Sequence, residues 1–455
     1  MKTLIMNCAR TPFNLMKISS QQTYSRIRTL CTNTSHRSKN TFIPKLNYEY
    51  LCNPDNTHYI ERLIKHRKNV GDINKVLELS KKLKSVNESL PEYQTLEKEL
   101  QKEALKIPND ASPHLWAYGE QPKVLEYINP KPEFSFSPRE FSQLGQKLDI
   151  LRTENLGNIT GSRSYYFKGV LAELEHALVK YSVSHLLRKG FTLLSVPDLL
   201  YSDIIEGCGM STKGDHSQVY HIAGPNEGVC LAGTAEMSLG GYLMGRQLEA
   251  HQLPLKLAAV SRCYRAESSG QAEERGIYRV HAFTKVEMFG ATAADTGQES
   301  HDLFSEMVLL QKDLYSKLGL HFQVLDMPLH DLGAPAYTKT DMEAWMPGRG
   351  MYGEISSASN CTDYQSARLN ITYRDAEGRE RLVHTVNGTA CAVPRLVIAL
   401  CENFQDSEGN ISLPAALHPH LPGASKIQPP NSPCRITWIR NKAFQGTIVP
   451  AGAGM

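Results

Sequence analysis

The chain has 455 residues, of which 41% are hydrophobic and 21% charged, and its formal net charge at pH 7 is +3. This composition is typical of a globular protein and excludes a wholly disordered or repetitive fibrous chain. A membrane-spanning helix is excluded too, because no run of about 18 uncharged apolar residues occurs. The ten cysteines include no CxxC pair, which favours free thiols over a disulfide framework or a zinc cluster.

Residues 1–48 have the composition of a cleaved leader. They contain eight basic side chains and no acid before Glu49. A basic segment rich in Ser and Thr is typical of a mitochondrial transit peptide, because the negative potential of the matrix attracts cations. The alternative is a disordered basic tail that contacts nucleic acid. We predict a leader removed before about residue 50 and a location in the mitochondrial matrix.

Residues 73–107 show the periodicity of a helical hairpin. Apolar residues recur at spacings of three and four, at Val76, Leu79, Leu83, Val86 and Leu90. Pro91 interrupts this pattern, which then resumes up to Pro108. We predict two antiparallel helices of about 17 residues, each about 25 Å long. A solvated helix pair and an arm that contacts RNA phosphates both remain open, since residues 58–108 carry 11 basic and 8 acidic side chains.

The rest of the chain mixes helices with short strands. Helical stripes are predicted at 171–187 and 393–402, and strands at 191–194, 258–265, 278–289, 322–325 and 353–359. The strands do not alternate regularly with helices, which predicts an α+β fold with an antiparallel sheet flanked by helices. The predicted domains are an N-terminal helical arm at 49–110, a linker at 111–140, a main domain of mixed helices and strands at 141–415 and a tail at 416–455.

The densest cluster of chemically active residues lies at 263–290. Arg265 and Glu267 share one face of a predicted strand, and the return strand presents a period-two series, Arg279, His281, Phe283, Lys285 and Glu287. Pairing the two strands would bring together arginines, an aromatic ring and carboxylates. Such a group suits a ligand that carries phosphate, a flat ring and an amine. The alternative is charge alternation on an exposed hairpin.

This hairpin resembles motif 2 of the class II aminoacyl-tRNA synthetases, in the form found in seryl-tRNA synthetases. Further blocks follow the order of that family. LAGTAE (231–236) resembles its serine-binding loop, GEISSASNCTDYQSAR (353–368) its ATP-side strand and HTVNGTACAVPRLVIAL (384–400) its motif 3. Residues 161–200 resemble motif 1, including Pro197 at the end of the dimer strand. VEMFG, EAWMPGRG and NCTDYQSAR resemble the animal mitochondrial branch.

The resemblance implies a class II synthetase sheet, preceded by a short antiparallel helical hairpin. It also implies ATP as a substrate, Mg²⁺, L-serine and tRNA(Ser), and a dimer formed through motif 1 from identical chains or with a paralogue. The implied serine-binding residues are Thr234, Ala235, Glu236, Arg265, Glu287, Asn387 and Thr389. The implied ATP-binding residues are Arg265, Ala266, Glu267, Val280, His281, Phe283, Glu354, Ile355, Ser356, Ser357 and Arg395. Arg265, Arg395 and Glu354 are the implied catalytic residues, with Glu354 and Ser357 as ligands of the metal.

Three departures from the family pattern stand out. Gly388-Thr389-Ala390 replaces the Gly-Ser-Gly run of many bacterial relatives, Pro394 replaces a small residue, and the helical arm is short. Two alternative functions are a catalytically silent paralogue that acts as a binding or regulatory subunit, and a ligase that loads amino acids onto carrier proteins. The second class uses a metal-binding Cys where this chain has Thr234 and Glu236.

Overall fold

The structure, a computed structural model, describes residues 43–67, 70–157, 159–214, 217–224, 228–267 and 275–430. Most of the predicted leader and the end of the predicted tail, residues 1–42 and 431–455, therefore lie outside the described residues. The described elements belong to one compact unit that begins at Pro44. No helix in these ranges is long and apolar enough to cross a bilayer.

Helices and strands follow one another along the chain. The α-helices in the described ranges are α1 Tyr48–Leu51, α2 Thr57–His66, α3 Ile73–Ser85, α4 Pro91–Ala104, α5 Phe141–Lys147, α6 Val170–Arg188, α7 Ser202–Gly207, α8 Ala235–Leu243, α9 Gln298–Lys317, α10 Tyr364–Leu369 and α11 Val393–Asn403. The longer strands are β1 Lys123–Ile128, β8 Leu255–Tyr264, β9 Ala282–Thr292, β10 Phe322–Asp326, β11 Thr338–Met346, β12 Met351–Thr362 and β15 His384–Ala392. The shorter strands are β2 Leu151–Arg152, β3 Tyr166–Phe167, β4 Thr192–Leu194, β5 Leu199–Tyr201, β6 Val229–Leu231, β7 Gln247–Glu249, β13 Thr372–Arg374, β14 Glu380–Leu382, β16 Ile411–Ser412 and β17 Lys426–Ile427.

One large sheet organises these elements. In the described part of the chain it has eight strands, in the order β1-β10-β11-β12-β15-β9-β8-β4. Each neighbouring pair is antiparallel except β4 and β8 at one edge. The predicted α+β class, with an antiparallel sheet, flanking helices and an N-terminal helical hairpin, is therefore confirmed.

The two faces of the sheet have different environments. One face packs apolar side chains such as Met288, Met342 and Val386 against α6, α9 and α11. On the other face, Phe289 and Ala259 pack against a smaller core that includes α7, α8 and α10. Because side chains alternate along a strand, the odd-numbered residues of β9 around Phe289 all point to this second face. The candidate site lies on that face.

The N-terminal helices are shorter than predicted. The two helices of the hairpin, α3 and α4, have 13 and 14 residues rather than about 17. Asp72 caps α3 by accepting hydrogen bonds from the backbone of Asn74 and Lys75, and Pro91 is the first residue of α4. The apolar pattern used for the prediction continues into the turn, where Leu90 directly precedes α4. The predicted helices were therefore too long. Helix α2 precedes the hairpin and was not predicted.

Three other expectations differ from the structure. The segment predicted as a linker contains β1, which pairs with β10 as the edge strand of the large sheet. The strand predicted over 278–289 begins only at Ala282, because the backbone turns at 275–278. Part of the predicted tail is ordered, since β17 pairs with β16.

The helical arm is joined to the part of the chain that forms the large sheet by a buried arginine. Arg67, at the end of α2, is only 4% exposed. Its guanidinium donates to the carbonyls of Gly333 and Ala334, each at 3.2 Å, and of Asp110 at 3.0 Å. Burial lowers the pKa of Arg67 to about 10, which leaves the side chain charged at neutral pH. Arg368 makes the reciprocal contact, donating to the carbonyls of Leu105 and Ile107.

We expect Arg67→Met to lower the free energy of unfolding by about 2–4 kcal/mol, because three backbone carbonyls lose the charged donor that the buried arginine supplies. Urea unfolding measures the change. Lys65→Met, at an exposed position of the same helix, is the matched control and should stay within about 0.5 kcal/mol of wild type. Equal stability of Arg67→Met and the control would show that the arginine does not secure the arm.

Candidate active site

A cleft with about 540 Å³ of empty space opens on the polar face of the sheet. Its walls come from β9, β12, β15, the start of α11 and the segments that follow β8 and precede β9. Predicted site residues that line it are Arg265, Glu267, Val280, Phe283, Glu354, Ile355, Ser356, Ser357, Thr389 and Arg395. The two arginines that the sequence places 130 positions apart therefore face one cavity.

A β-bulge aims the acidic residue of β12 into the cleft. Glu354 lies opposite Glu343 in β11, and Ser357 lies opposite Asp341, with a register shift between the two pairs. Asp341 and Glu343 are two residues apart and share one face of their strand. Glu354 and Ser357 must therefore share that face as well, although residues three apart in a regular strand point to opposite faces.

Arg395 is held at the mouth of the cleft by the first turn of α11. Its guanidinium donates to the carbonyl of Tyr278 at 3.3 Å and to the backbone carbonyl of Glu354 at 3.1 Å. It also forms an ion pair with the Glu354 carboxylate at 3.3 Å and lies 4.6 Å from the centre of the Tyr278 ring. Although burial opposes the charge, the Glu354 carboxylate raises the pKa of Arg395.

Arg265 enters the cleft from the end of β8. Its side chain donates to the carbonyl of Gly233 at 3.3 Å, and its guanidinium lies 5.4 Å from the centre of the Phe283 ring. Burial works against ionisation of Glu354, but Arg395, Lys339 and Arg265 outweigh it and lower the pKa of Glu354 to about 2. The cleft thus combines two fixed cations with a carboxylate that is ionised at neutral pH.

The inner end of the cleft carries a strained acidic residue. Glu267 is buried, has φ of 39° and forms an ion pair with Arg279 at 3.2 Å. A positive φ is rare for residues other than glycine. The backbone strain that it causes persists only where surrounding contacts hold the residue in place. Ala266 and His281, predicted as ATP-binding residues, do not line the cleft but support this loop. The backbone of Ala266 donates to Gln218, and the carbonyl of His281 accepts from the backbone of Arg265.

A second group of predicted residues lies next to the cleft, at the start of α8. Thr234 caps this helix, because its hydroxyl accepts from the backbone of Glu236 at 3.3 Å. The same hydroxyl donates to Glu287 at 3.3 Å, and the hydroxyl of Thr389 lies 3.5 Å from the same carboxylate oxygen. Ala235 is fully buried in the apolar core beside them.

The two carboxylates of this group are held in different ways. Glu287, 2% exposed, forms a close ion pair with Lys285, which is 7% exposed. Glu236 is held by neutral amides: Gln365 donates to its Oε1 at 2.6 Å and Asn387 at 2.9 Å. Burial, and then the charge of Glu287, raise the pKa of Glu236 to about 7 against the opposing effects of Lys285, Gln365 and Arg265.

Some residues that line the cleft were assigned no ligand by the sequence-based prediction. They are Tyr278, Arg279, Lys285, Ala392 and Pro394. Arg279 and Lys285 belong to the period-two series predicted for the return strand, so alternation identified these two residues but not their role. Tyr278 was placed in a strand, and only the turn at 275–278 brings its ring beside Arg395.

A family model and individual relatives both place this chain among the class II tRNA synthetases. Residues 220–404 match the family model described as the tRNA synthetase class II core domain (G, H, P, S and T). The chain is 48% identical to the mouse protein named mitochondrial serine–tRNA ligase over 342 residues, which are 75% of this chain and 66% of the mouse protein. It is 42% identical to the serine–tRNA ligase of Treponema denticola, over 71% of this chain and 77% of that protein.

A solved structure has the same fold. The cytoplasmic serine–tRNA ligase of Naegleria fowleri, determined in complex with AMP, superposes with a TM-score of 0.74 at 25% identity. The superposition covers 84% of this chain and 98% of that structure.

We expect Glu236→Gln to stabilise the ligand-free protein at pH 8 by about 1–3 kcal/mol. The pKa of Glu236 is about 7 in the folded chain against an ordinary value of 4.5. The folded state therefore binds the proton more tightly, and wild type loses stability as the pH rises from 4.5 to about 7. Glutamine avoids this loss, so the difference in urea midpoint should shrink toward pH 5. Glu88→Gln, at an exposed position, should show no such trend, and a Glu236→Gln effect independent of pH would contradict the assignment.

Proposed function

The chain belongs to the seryl-tRNA synthetase family, and on that premise we propose that it activates L-serine with ATP and transfers the seryl group to mitochondrial tRNA(Ser). One observation carries the proposal: Arg265 and Arg395 face a single cleft beside the carboxylates of Glu236 and Glu287. The cleft suits a polyphosphate, and the carboxylates suit a small ligand with an amine and a hydroxyl. Formation of an aminoacyl-adenylate requires both ligands side by side.

In this proposal ATP lies along the cleft. Phe283 stacks on the adenine ring, and Glu267 accepts a hydrogen bond from its amino group. Arg395 binds the γ-phosphate end, while Arg265 binds the α-phosphate together with the carboxylate of serine. Arginine suits both positions because its planar guanidinium is always charged and binds oxygen pairs in a bidentate way. Val280, Ile355 and Ser356 complete the walls, and Ala266 and His281 hold the loop around the base.

The residues of β12 fit a Mg²⁺ ion. Glu354 is ionised and shares a face with the hydroxyl of Ser357. Within the described ranges, no group of three His, Cys, Asp or Glu side chains could hold a metal ion. A pair of protein oxygens matches a cation that takes its other ligands from phosphates and water, as Mg²⁺ does. When bound, the ion would neutralise negative charge on the triphosphate.

The two carboxylates would recognise opposite ends of serine. The charge of Glu287 is already balanced by Lys285, so this carboxylate is suited to accept from the serine hydroxyl, with Thr234 and Thr389 beside it. Glu236 is held by neutral groups, which leaves its charge for the serine ammonium. An amino acid without the hydroxyl would leave buried polar groups unpaired, and this loss is the basis of selectivity against alanine and glycine.

The chemistry needs no covalent bond to the enzyme. The serine carboxylate attacks the α-phosphorus, the bond to the β-phosphate oxygen breaks, and pyrophosphate leaves with the electron pair. The arginines stabilise the charge that develops on the phosphates, and the pocket holds the carboxylate in line with the leaving group. The terminal ribose hydroxyl of tRNA then attacks the carbonyl of the adenylate, and AMP leaves.

The N-terminal helices are proposed as the tRNA-binding arm. Helices α3 and α4 carry several exposed lysines, including Lys81, Lys84 and Lys98, which suits contact with RNA phosphates. Because the arm is short, the part of the tRNA that it contacts is open. The basic composition of residues 1–48 and the mitochondrial relatives support action in the mitochondrial matrix.

We also propose a homodimer formed through the edge of the sheet near β4. Among the described residues this strand is paired on one side, to β8, and unpaired strand edges favour association. Large apolar side chains are exposed on three successive elements: Leu187 of α6, Leu193 of β4 and Leu199 of β5.

We expect the protein to catalyse serine-dependent exchange of pyrophosphate into ATP with Mg²⁺ present. Arg265→Ala should reduce the exchange rate about a thousandfold, because charge on the transferring phosphate loses its counter-ion. Arg262→Ala, which changes an exposed arginine of β8 three residues before Arg265, is the matched control and should retain wild-type exchange. Wild-type protein that shows neither exchange nor charging of a mitochondrial serine tRNA would instead support the catalytically silent paralogue.

We expect wild-type protein to sediment as a dimer and Leu193→Asp to sediment as a monomer of 50.8 kDa, less any leader removed. A carboxylate buried at the interface would lose its hydration without gaining a partner. Leu309→Asp, at an exposed position of α9, should stay dimeric. A dimeric Leu193→Asp variant would place the interface elsewhere.

A further inference from the structure

A buried amide supports the proposed serine pocket from behind. Gln365, in α10, is fully buried, with 0% of its surface exposed. Its Nε2 donates to Oε1 of Glu236 at 2.6 Å and lies 3.3 Å from the backbone carbonyl of Cys208. Gln365 itself does not line the cleft. The proposed roles in serine and ATP binding leave this amide unused.

The surroundings of Gln365 permit one orientation of its amide. Its Oε1 accepts a hydrogen bond from the hydroxyl of Thr385 at 2.7 Å, and Thr385 is itself fully buried. A flipped amide would set its oxygen against the Cys208 carbonyl and the ionised Glu236 carboxylate, both of which can only accept. Thr385, Gln365 and Glu236 therefore form a directed chain of hydrogen bonds that ends on the carboxylate.

Glu236 depends on such support because it forms no ion pair with any residue that the structure describes. Its hydrogen bonds from side chains in the described ranges, from Gln365 and Asn387, both go to Oε1. The second oxygen, Oε2, is left available for a cation. With Oε1 fixed by two amides, the carboxylate cannot rotate to turn Oε2 away without losing both bonds.

Charged and titratable groups face Glu236 from several elements. Glu287 and Lys285 come from β9, Arg265 from the end of β8, Cys208 from the end of α7 and Cys361 from β12. Burial and the Glu287 charge favour the protonated form of Glu236, whereas Lys285, Gln365 and Arg265 favour the ionised form, and the pKa of Glu236 is about 7. Loss of the Gln365 bond would therefore leave fewer Glu236 side chains ionised near neutral pH.

We propose that Gln365 is a positioning residue for the amino acid substrate: its amide, oriented by Thr385, holds the Glu236 carboxylate so that Oε2 faces the substrate ammonium. This inference rests on the proposed function and adds a specific role for a residue outside the cleft. It requires that loss of the amide weakens serine binding while ATP binding, on the other side of the pocket, is unaffected.

The test is Gln365→Met, which keeps the length of the side chain and removes both amide functions. The KM for serine in the exchange reaction at pH 8 should rise about tenfold or more, as loss of a hydrogen bond to a charged group requires. The KM for ATP should stay within about twofold of wild type, because the change reaches only the carboxylate that binds the ammonium. The rise in the KM for serine should be greater at pH 6.5 than at pH 8. Without the Gln365 amide, a larger fraction of Glu236 is protonated at the lower pH.

Two further variants separate positioning from general packing. Gln323→Met removes an amide that donates to Glu343 at 2.8 Å, and Glu343 does not line the cleft. This control should leave the KM for serine unchanged. Thr385→Val leaves the Gln365 amide in place but releases its orientation, and should raise the KM for serine about two- to fivefold with the same pH trend. If Gln365→Met does not fold, Thr385→Val decides the question.

The outcomes distinguish the inference from the proposed function. Wild-type protein that neither exchanges pyrophosphate with serine nor binds serine by calorimetry would overturn both. An active wild type with a Gln365→Met variant whose KM for serine is within twofold, or whose KM for ATP rises equally, would overturn the inference alone. A selective rise in the KM for serine, with an unchanged Gln323→Met control, would support it.

Discussion

The candidate site depends on opposite charges paired on one face of the sheet. Lys285 balances Glu287 in a pair that is almost fully buried, and Arg395 balances Glu354, whose side chain is 38% exposed. Bringing any one of these groups out of water would be unfavourable alone, and removing one partner of a buried pair typically destabilises a protein by about 3–5 kcal/mol. The pairs therefore fix each other's positions before any substrate arrives, and such preorganisation is what charge stabilisation in a transition state requires.

The way in which each charge is balanced differs between two parts of the site. The cleft that we propose for the polyphosphate carries strongly held charges, with the pKa of Glu354 lowered to about 2 by neighbouring cations. The pocket beside it contains Glu236, which is bound by neutral amides and has a pKa of about 7. Ligand-free protein thus stores an unfavourable buried charge at Glu236, and a bound ammonium would relieve it. Residues kept for binding often cost the free protein stability, and a ligand that binds only the folded state restores it.

The helical arm adds a second constraint. Arg67 and Arg368 link the arm to the part of the chain that forms the large sheet, and each donates to backbone carbonyls of the other part. Carbonyls accept such bonds whatever the side chain at their position, so a sequence pattern contains no sign of them. For the same reason no local pattern indicated that α2 packs between the hairpin and the sheet.

Much of the architecture could be predicted because it depends on local periodicity. The helix predicted over 171–187 is α6, and the one over 393–402 is α11, since both have a continuous apolar stripe that the core buries. Strand β1 was missed because its residues are mostly exposed at the edge of the sheet, without the alternation that marks a half-buried strand. The turn at 275–278 was missed because the contact between Tyr278 and Arg395 that holds it is remote in sequence.

The sequence by itself determined which side chains are available for chemistry and, through periods of two and three to four, which of them share a strand face or a helix face. Only the tertiary structure decided how those faces meet. The bulge in β12 brings Glu354 and Ser357 to one side, and Gln365 contacts Glu236 across 129 positions of the chain. Both depend on how strands pair and helices pack at long range, and the free energy of those contacts comes from partners that no local window of sequence contains.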